Sequence, residues 1–272
     1  MPSIAAPPSL FRRVTDPFRC DTEARALAWT LGLLALTSLV FLVAPQLDVA
    51  VSRLFYIGPS GFLDGRYEVV EIIRETGRLL MWVLGLGVLA PLLIKLLFPA
   101  RPILVPPRAM LFVLSSYALG PGLVVNGILK EHWGRARPRE VLDFGGTADF
   151  SPVWWISNQC ERNCSFVSGE AAAAFWLVAL VFIVPPHWRV RTAIMTVAAA
   201  AAISFTRLAA GAHFLSDVLI AWLLTLLVLL ALANLILTRM PPTFDAAVES
   251  WLARAGQALR RRGGFGRPDQ SL

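Results

Sequence analysis

The sequence predicts an all-α, polytopic membrane protein with six transmembrane helices and both termini in the cytoplasm. Of its 272 residues, 56% are hydrophobic and 16% are charged, and the mean hydropathy is +0.63. Soluble domains are far less apolar. Six segments have the roughly 17–25 apolar residues that a membrane helix needs: residues 26–44, 79–98, 109–129, 168–184, 192–208 and 215–238.

The apolar runs divide the chain into an N-terminal arm (1–25), a six-helix membrane domain (26–238) and a C-terminal tail (239–272). The first run begins at about Ala26 and is expected to be an uncleaved anchor, because no early signal peptide is evident. In the loop that follows, Asp64-Gly65 indicates a turn, and residues 66–75 have the spacing of an interfacial helix. The fifth run is mostly alanine, which suits close packing inside a bundle.

The distribution of Lys and Arg predicts the orientation. With both termini in the cytoplasm, 15 of the 25 Lys and Arg residues fall on the cytoplasmic side, as the positive-inside rule requires. The ends of predicted helices three to six that carry the polar motifs then lie outside. The net charge of +7 is scattered over loops, which argues against a nucleic-acid partner.

The tail has a helical pattern of its own. Its apolar residues recur at helical spacing: Phe244, Val248, Trp251, Leu252, Ala255 and Leu259. Together with Arg260-Arg261-Arg262, this pattern favours an amphipathic helix on the anionic inner leaflet. The alternative is a solvated tail.

Arg207, His213 and Asp217 lie at the boundary between two apolar runs, where ionisable side chains usually mark a functional site. The His-x3-Asp spacing places both side chains on one helix face. The carboxylate is then expected to hold one imidazole nitrogen and leave the other free as a nucleophile or base. Arg207 adds a fixed cation for an oxyanion.

Two upstream segments suit a phosphate group. Lys130 and Arg137 precede Pro138, which ends the third helix. Ser168 and Gly169 begin the fourth helix, where unpaired amide groups and the helix dipole favour an anion. A phosphate ester needs such cations around its oxygens and a nucleophile in line with the leaving oxygen.

In order, these three segments resemble the signature motifs of the type 2 phosphatidic acid phosphatase family, which shares its site with vanadium haloperoxidases. The family pattern is Lys-x6-Arg-Pro, then Pro-Ser-Gly-His, then Ser-Arg-x5-His-x3-Asp. The chain departs from it at three positions, Val167 for Pro, Glu170 for His and Thr206 for Ser. The resemblance covers roughly residues 110–235.

The resemblance implies a mechanism and a set of site residues. His213 would attack phosphorus and form a phosphohistidine, oriented by Asp217, and water would then hydrolyse it. The phosphoryl oxygens would be held by Lys130, Arg137, Ser168, Gly169 and Arg207. The cations do the electrostatic work, so neither a metal nor another cofactor is expected.

Glu170 stands where the family has the His that protonates the leaving group. A carboxylate beside three cations is expected to be ionised and is then a poor proton donor. Burial would instead make Glu170 a general acid, and a third reading is that it only serves the helix dipole. Without an acid, the enzyme should prefer a lipid pyrophosphate or a lipid A-type glycosyl phosphate, as at position 1 of lipid A, over phosphatidic acid.

The family resemblance implies a membrane lipid phosphate as substrate and the lipid bilayer as surroundings. Candidates are undecaprenyl pyrophosphate, lipid A, phosphatidylglycerol phosphate and diacylglycerol pyrophosphate. The expected location is a bacterial inner membrane, with the site facing the periplasm. A lipid phosphotransferase and a phosphate-binding membrane protein without turnover remain alternatives, and nothing in the sequence indicates an oligomeric state.

Cys160 and Cys164 share the loop before Ser168. In an oxidising compartment they are candidates for a disulfide. Two free or buried thiols are the alternative, because a four-residue separation demands a particular local bend. No second pair of ligands stands nearby, so a zinc site is not expected.

Overall fold

The computed structural model describes residues 20–63, 68–241 and 243–262, and these residues are helical apart from loops and two isolated β-bridges. The helices are Cys20–Val43 (α1), Gln46–Arg53 (α2), Glu68–Leu97 (α3), Pro107–Tyr117 (α4), Lys130–His132 (α5), Gly169–Trp176 (α6), Ala179–Ile183 (α7), Arg189–Ala209 (α8), Leu215–Leu232 (α9) and Thr243–Arg262 (α10). A π-helical segment, Ala118–Leu129, joins α4 to α5, and another, Ala233–Arg239, extends α9.

Within the described residues, four helical segments are long and apolar enough to cross a membrane: Ala24–Val43, Pro107–His132, Pro186–Ala209 and Leu215–Arg239. Two shorter apolar helices, Gly85–Leu97 and Gly169–Ile183, coincide with the second and fourth predicted runs. The all-helical membrane architecture is therefore confirmed, and the count of six spans stays a prediction. Residues 1–19 of the predicted arm and the predicted Asp64-Gly65 turn lie outside the described residues.

Proline shapes the helix that leads to the site. Pro107 occupies the first turn of α4, where its missing amide N–H is tolerated. Pro121 lies inside the following segment and disrupts the α-helical ladder, so the chain widens into π-helical turns. Asn126 Nδ2 donates a hydrogen bond to the Pro121 carbonyl at 2.7 Å, which satisfies a backbone group in this irregular segment.

Small residues let α6 pack between α8 and α9. Ala171, Ala172 and Ala174 are buried along α6, and small side chains allow helices to approach closely. Large apolar residues instead point outward from α1 and α8, among them Leu36 and Met195, which are 57% and 71% exposed. Such an apolar exterior suits lipid rather than water.

The ends of predicted helices three to six, which carry the three motifs, meet at one end of the bundle. The tail helix α10 lies at the opposite end. There Lys95 Nζ and Glu249 Oε1 are 2.9 Å apart, and Arg108 Nε and Asp245 Oδ2 are also 2.9 Å apart. The amphipathic helix expected in the tail therefore forms, but it is clamped to α3 and α4 by ion pairs. Trp251 on α10 remains 60% exposed.

Candidate active site

His213 lies in the tight loop between α8 and α9. Gly211 turns the chain with φ of +58°, and a Cβ there would overlap the Phe62 ring, so glycine is required on both counts. His213 is 2% exposed, and its Nδ1 is 2.8 Å from the carbonyl oxygen of Ser165. A carbonyl only accepts hydrogen bonds, so Nδ1 carries the proton and Nε2 carries the lone pair.

Asp217 is fully buried next to this imidazole, but the two groups are not directly hydrogen-bonded. Its Oδ2 is 3.9 Å from His213 Nδ1, which is beyond hydrogen-bonding distance. Oδ2 accepts instead from the Ser165 hydroxyl at 2.6 Å and from the Phe214 amide at 2.9 Å. Asp217 therefore orients His213 through Ser165 and through its charge, and not by the direct bond that the His-x3-Asp spacing predicts.

Three cations act on His213: Lys130 at the start of α5, Arg137 in the loop that follows α5, and Arg207 near the end of α8. The pKa of His213 lies well below its ordinary value, first because burial disfavours the imidazolium and then because these cations repel it. The imidazole is therefore neutral and nucleophilic at neutral pH.

Each arginine is held by a particular partner. Arg137 donates from Nη2 to the Asn163 carbonyl at 2.7 Å. Arg207 Nε lies 3.2 Å from Glu170 Oε2, and the Glu170 side chain is 40% exposed. Glu170 thus forms an ion pair with a cation that the family resemblance assigns to the phosphate.

Ser168 caps α6, its Oγ accepting from the Ala171 amide at 3.3 Å. The Ser168 amide donates to the Asp217 carbonyl at 3.2 Å, so the hydroxyl is the Ser168 donor left for an anion. A Cβ on Gly169 would overlap the side-chain oxygen of Asn126. Glycine at this position is therefore explained by the close approach of Asn126.

Cys160 and Cys164 form a disulfide, with their Cα atoms 5.7 Å apart. The Cys164 amide donates to the Lys130 carbonyl at 3.2 Å. The bridged loop is thus tied to the end of the helix that carries the first cation. Of the two states that the sequence left open for these cysteines, the structure has the bonded one.

Four residues of the site were not predicted from the sequence: Asp48, Arg135, Ser165 and Asn126. Arg135 stands two residues before Arg137, and this second arginine within the motif was the available signal. Ser165 acts on His213 through its backbone, which no sequence pattern encodes. Asp48 lies on α2, more than 80 residues before Arg135, and nothing local predicts their pairing.

Beside the cations lies a cavity of about 460 Å³ with mostly apolar walls. Lys130, Glu170 and Asn126 line its polar side, and Val113, Leu114 and Trp176 are among its apolar residues. In the described part of the chain, no group of three His, Cys, Asp or Glu residues is arranged to hold a metal ion.

The segment that carries His213, the cations and the start of α6 matches a known family in sequence. The PAP2 superfamily model matches residues 109–241. The lipid A 4'-phosphatase of Rhizobium leguminosarum is 34% identical over 210 residues, which span 72% of this chain and 90% of that protein. The chain belongs to the PAP2 superfamily and is a phosphatase of that family, which confirms the resemblance inferred from the three motifs.

Two further comparisons extend this result. The lipid A 4'-phosphatase of Francisella tularensis subsp. novicida is 34% identical over 180 residues, covering 65% of this chain and 81% of that protein. The crystal structure of a PAP2 type phosphatidylglycerolphosphate phosphatase from Bacillus subtilis has a TM-score of 0.50 and 20% identity, and covers 77% of this chain and 95% of that one. At that identity the structural match supports the fold alone.

Proposed function

We propose that this protein removes the 4'-phosphate of lipid A at the periplasmic face of a bacterial inner membrane, through a phosphohistidine on His213. The observation that carries the chemistry is the buried imidazole, whose Nδ1 is bound to the Ser165 carbonyl at 2.8 Å and which faces three cations. The substrate follows from relatives that are 34–35% identical over 180–210 residues and carry the name lipid A 4'-phosphatase.

In the first step, the Nε2 lone pair of His213 forms a bond to phosphorus while the bond between phosphorus and the sugar oxygen breaks. Lys130, Arg137 and Arg207 stabilise the charge on the non-bridging oxygens, together with the Ser168 hydroxyl. In the second step, water attacks the phosphohistidine and gives one proton to the carboxylate of Glu170, the nitrogen–phosphorus bond breaks, and inorganic phosphate leaves with His213 restored as the neutral base.

The leaving oxygen needs a proton, because an alkoxide from position 4' of a sugar is strongly basic. Glu170 is proposed as the donor. In the free protein it pairs with Arg207 at 3.2 Å. A bound phosphate that takes over Arg207 would release Glu170 from this ion pair and leave its carboxyl group beside the reacting phosphate.

Two observations support the proposed compartment and substrate type. The Cys160–Cys164 disulfide suits an oxidising compartment such as the periplasm. The cavity beside Lys130 and Glu170 is mostly apolar, so it offers room for the lipid part of a substrate next to the cations.

The test is turnover by the purified protein in detergent on lipid A, undecaprenyl pyrophosphate and phosphatidic acid. We expect inorganic phosphate and lipid A that mass spectrometry shows to lack the 4' group. His213→Ala should abolish turnover while the protein still folds, and His187→Ala, just before the opposite end of α8, should behave as wild type. Release from position 1 alone, or from the other lipids alone, would overturn the substrate assignment.

The intermediate and the acceptor need separate experiments. A phosphohistidine is expected as an acid-labile, base-stable label on protein quenched during turnover, absent in His213→Ala. An added acceptor lipid separates hydrolysis from phosphotransfer, because a transferase would move the phosphate to that lipid instead of water. Full activity of His213→Ala would rule out the proposed nucleophile.

A further inference from the structure

Arg135 is a buried cation that the phosphate-binding scheme does not use. Its side chain is 1% exposed, which is costly unless the charge is paired. Two carboxylates provide the pairing: Asp217 Oδ1 lies 2.5 Å from Nη1, and Asp48 Oδ2 lies 2.8 Å from Nη2. The guanidinium also stacks on the Phe214 ring, 4.4 Å from its centroid.

Asp48 completes this cluster from outside the region that matches the family model, which begins at residue 109. It lies on α2 and is 1% exposed. Besides Arg135, it binds Ser216 twice: Oδ1 accepts from the amide at 2.9 Å and Oδ2 from the hydroxyl at 2.5 Å. Asp48 therefore fixes the first turn of α9, where Asp217 is the next residue.

Arg135 reaches the imidazole of His213 by two routes. Its carbonyl accepts the Ser165 amide at 2.8 Å, and the Ser165 carbonyl in turn accepts His213 Nδ1. Its guanidinium holds Asp217, which accepts the Ser165 hydroxyl at 2.6 Å. Both routes end on the same residue, Ser165, whose carbonyl sets the direction of the imidazole ring.

We propose that Arg135 and Asp48 are positioning residues for the nucleophile, which keep His213 in the tautomer with a proton on Nδ1 and a lone pair on Nε2. Neither residue touches the phosphate in this scheme. They fix Asp217 and the Ser165 carbonyl, and that geometry selects the tautomer. The expected effects on kinetics rest on the proposed phosphatase function. The expected tautomer of His213 rests on the hydrogen bonds alone.

The variants Asp48→Asn and Arg135→Lys change this support with little change in volume. The amide of Asp48→Asn still accepts a hydrogen bond but carries no charge for Arg135. Lysine keeps the charge of Arg135 but lacks the planar fork that binds two carboxylates. We expect kcat to fall roughly 10- to 100-fold, the usual effect of losing a group that orients a functional histidine, while KM changes less than about twofold because the phosphate-binding cations remain.

The tautomer can be measured without turnover. The chain has three histidines, so nitrogen NMR of protein labelled with 15N-histidine gives few signals, and the signal absent from His213→Asn identifies His213. Wild type should show the tautomer protonated at Nδ1. Asp48→Asn and Arg135→Lys should show a mixture of the two neutral tautomers of His213. In the same variants, the pH at which kcat falls on the acid side should differ from that of wild type. The charged groups facing this ring are Lys130, Arg137, Arg207 and Asp217.

Two further variants serve as a control and as a substitute for the charge variants. Asp143→Asn alters an exposed carboxylate in the same outer loop and should leave tautomer and kcat unchanged. Ser216→Ala removes a hydroxyl that binds both Asp48 and Arg135 but keeps both charges. This variant tests the same support if Asp48→Asn and Arg135→Lys do not fold. A folded Asp48→Asn with the wild-type tautomer and kcat would overturn the proposal, as would an unaltered Ser216→Ala. A wild type without turnover would contradict the proposed function, while the NMR result would still decide the tautomer.

Discussion

His213 donates from Nδ1 to the carbonyl oxygen of Ser165 at 2.8 Å, whereas Oδ2 of Asp217 lies 3.9 Å from the same nitrogen. The imidazole is thus oriented by a backbone group that side-chain substitution cannot remove. Asp217 contributes a negative charge and fixes Ser165 through the hydroxyl. The two contributions can be separated by mutation.

Asp217→Asn should lower kcat severely, by about 10²–10⁴-fold, because it removes the negative charge that stabilises the positive charge His213 acquires on bonding to phosphorus. The corresponding amide variant of a serine protease loses about 10⁴-fold in kcat. Ser165→Ala keeps the carbonyl and should lose about tenfold or less. Turnover of both variants, with thermal unfolding as the control for folding, measures the difference. Equal losses in the two variants would contradict a separate contribution from the charge of Asp217.

The pH dependence follows from the lowered pKa of His213. An imidazolium cannot attack phosphorus, and a lowered pKa keeps the ring neutral below the ordinary value of about 6.5. The acid limb of kcat/KM attributable to the enzyme should therefore lie below pH 6.5. Lys130→Met removes one repelling cation, so the pKa should rise and the limb should move to higher pH.

The measurement is kcat/KM against pH for wild type and Lys130→Met on one substrate, because the second ionisation of the phosphate, near pH 6, is then common to both profiles. Lys130→Met will also weaken phosphate binding, which lowers the whole profile without moving it. A limb that stays in place, or moves to lower pH, would contradict the assignment of the limb to His213.

Glu170 is expected to matter most where the leaving group is most basic. General acids contribute about 10²–10⁴-fold, so Glu170→Gln should slow release of the 4'-phosphate of lipid A by at least 10². A pyrophosphate leaves as a phosphate group with a pKa near 6 and needs little protonation, so its cleavage should slow far less. The preference for a pyrophosphate over phosphatidic acid, which is expected of an enzyme without an acid, should therefore appear in Glu170→Gln.

The matched variant is Glu170→His, which restores the residue of the family motif and should retain activity on phosphatidic acid. Kinetics of the three proteins on the three substrates form the test. If Glu170→Gln slowed pyrophosphate and lipid A equally, its role would be in binding and not in proton donation. Faster cleavage of phosphatidic acid than of pyrophosphate by Glu170→Gln would contradict proton donation by Glu170.

Gly169→Ala should impair activity through Asn126, since the added Cβ would overlap the Asn126 side chain. The clash is with a side chain, so it is relieved when that side chain is shortened. Gly169→Ala with Asn126→Ala should therefore recover most of the activity lost by Gly169→Ala, relative to Asn126→Ala alone. Recovery would not occur if Gly169 served only to let a phosphate approach the backbone.

The predicted membrane orientation places the loop of the motifs and the C-terminal tail on opposite sides of the membrane. Cysteines introduced at these two places should therefore react with a labelling reagent from opposite sides. In a Cys20→Ser background, the Cys160–Cys164 disulfide leaves no free thiol. Asp143→Cys is expected to react with an impermeant maleimide from the periplasm, and Gln257→Cys only after the inner membrane is opened. Both positions are exposed. Labelling of both from the same side would contradict the orientation.

The sequence by itself determined the membrane class and predicted part of the candidate site. Apolar runs long enough to span a bilayer are a one-dimensional property, so all-helical architecture could be predicted from them. The three motifs likewise predicted that Lys130, Arg137, Arg207 and His213 would meet, because each motif lies at or beside a helix end and the helices must alternate in direction. Ser168 also begins its helix as expected.

Only the tertiary structure decided how those residues are supported. Whether Glu170 pairs with Arg207, whether Cys160 bonds to Cys164 and which group receives the His213 proton depend on distances across separate loops and helices. The carbonyl of Ser165 has no sequence signature, since every residue carries one. Asp48 and Arg135 are brought together because a buried charge must find its opposite, and that requirement acts in the folded chain, not along the sequence.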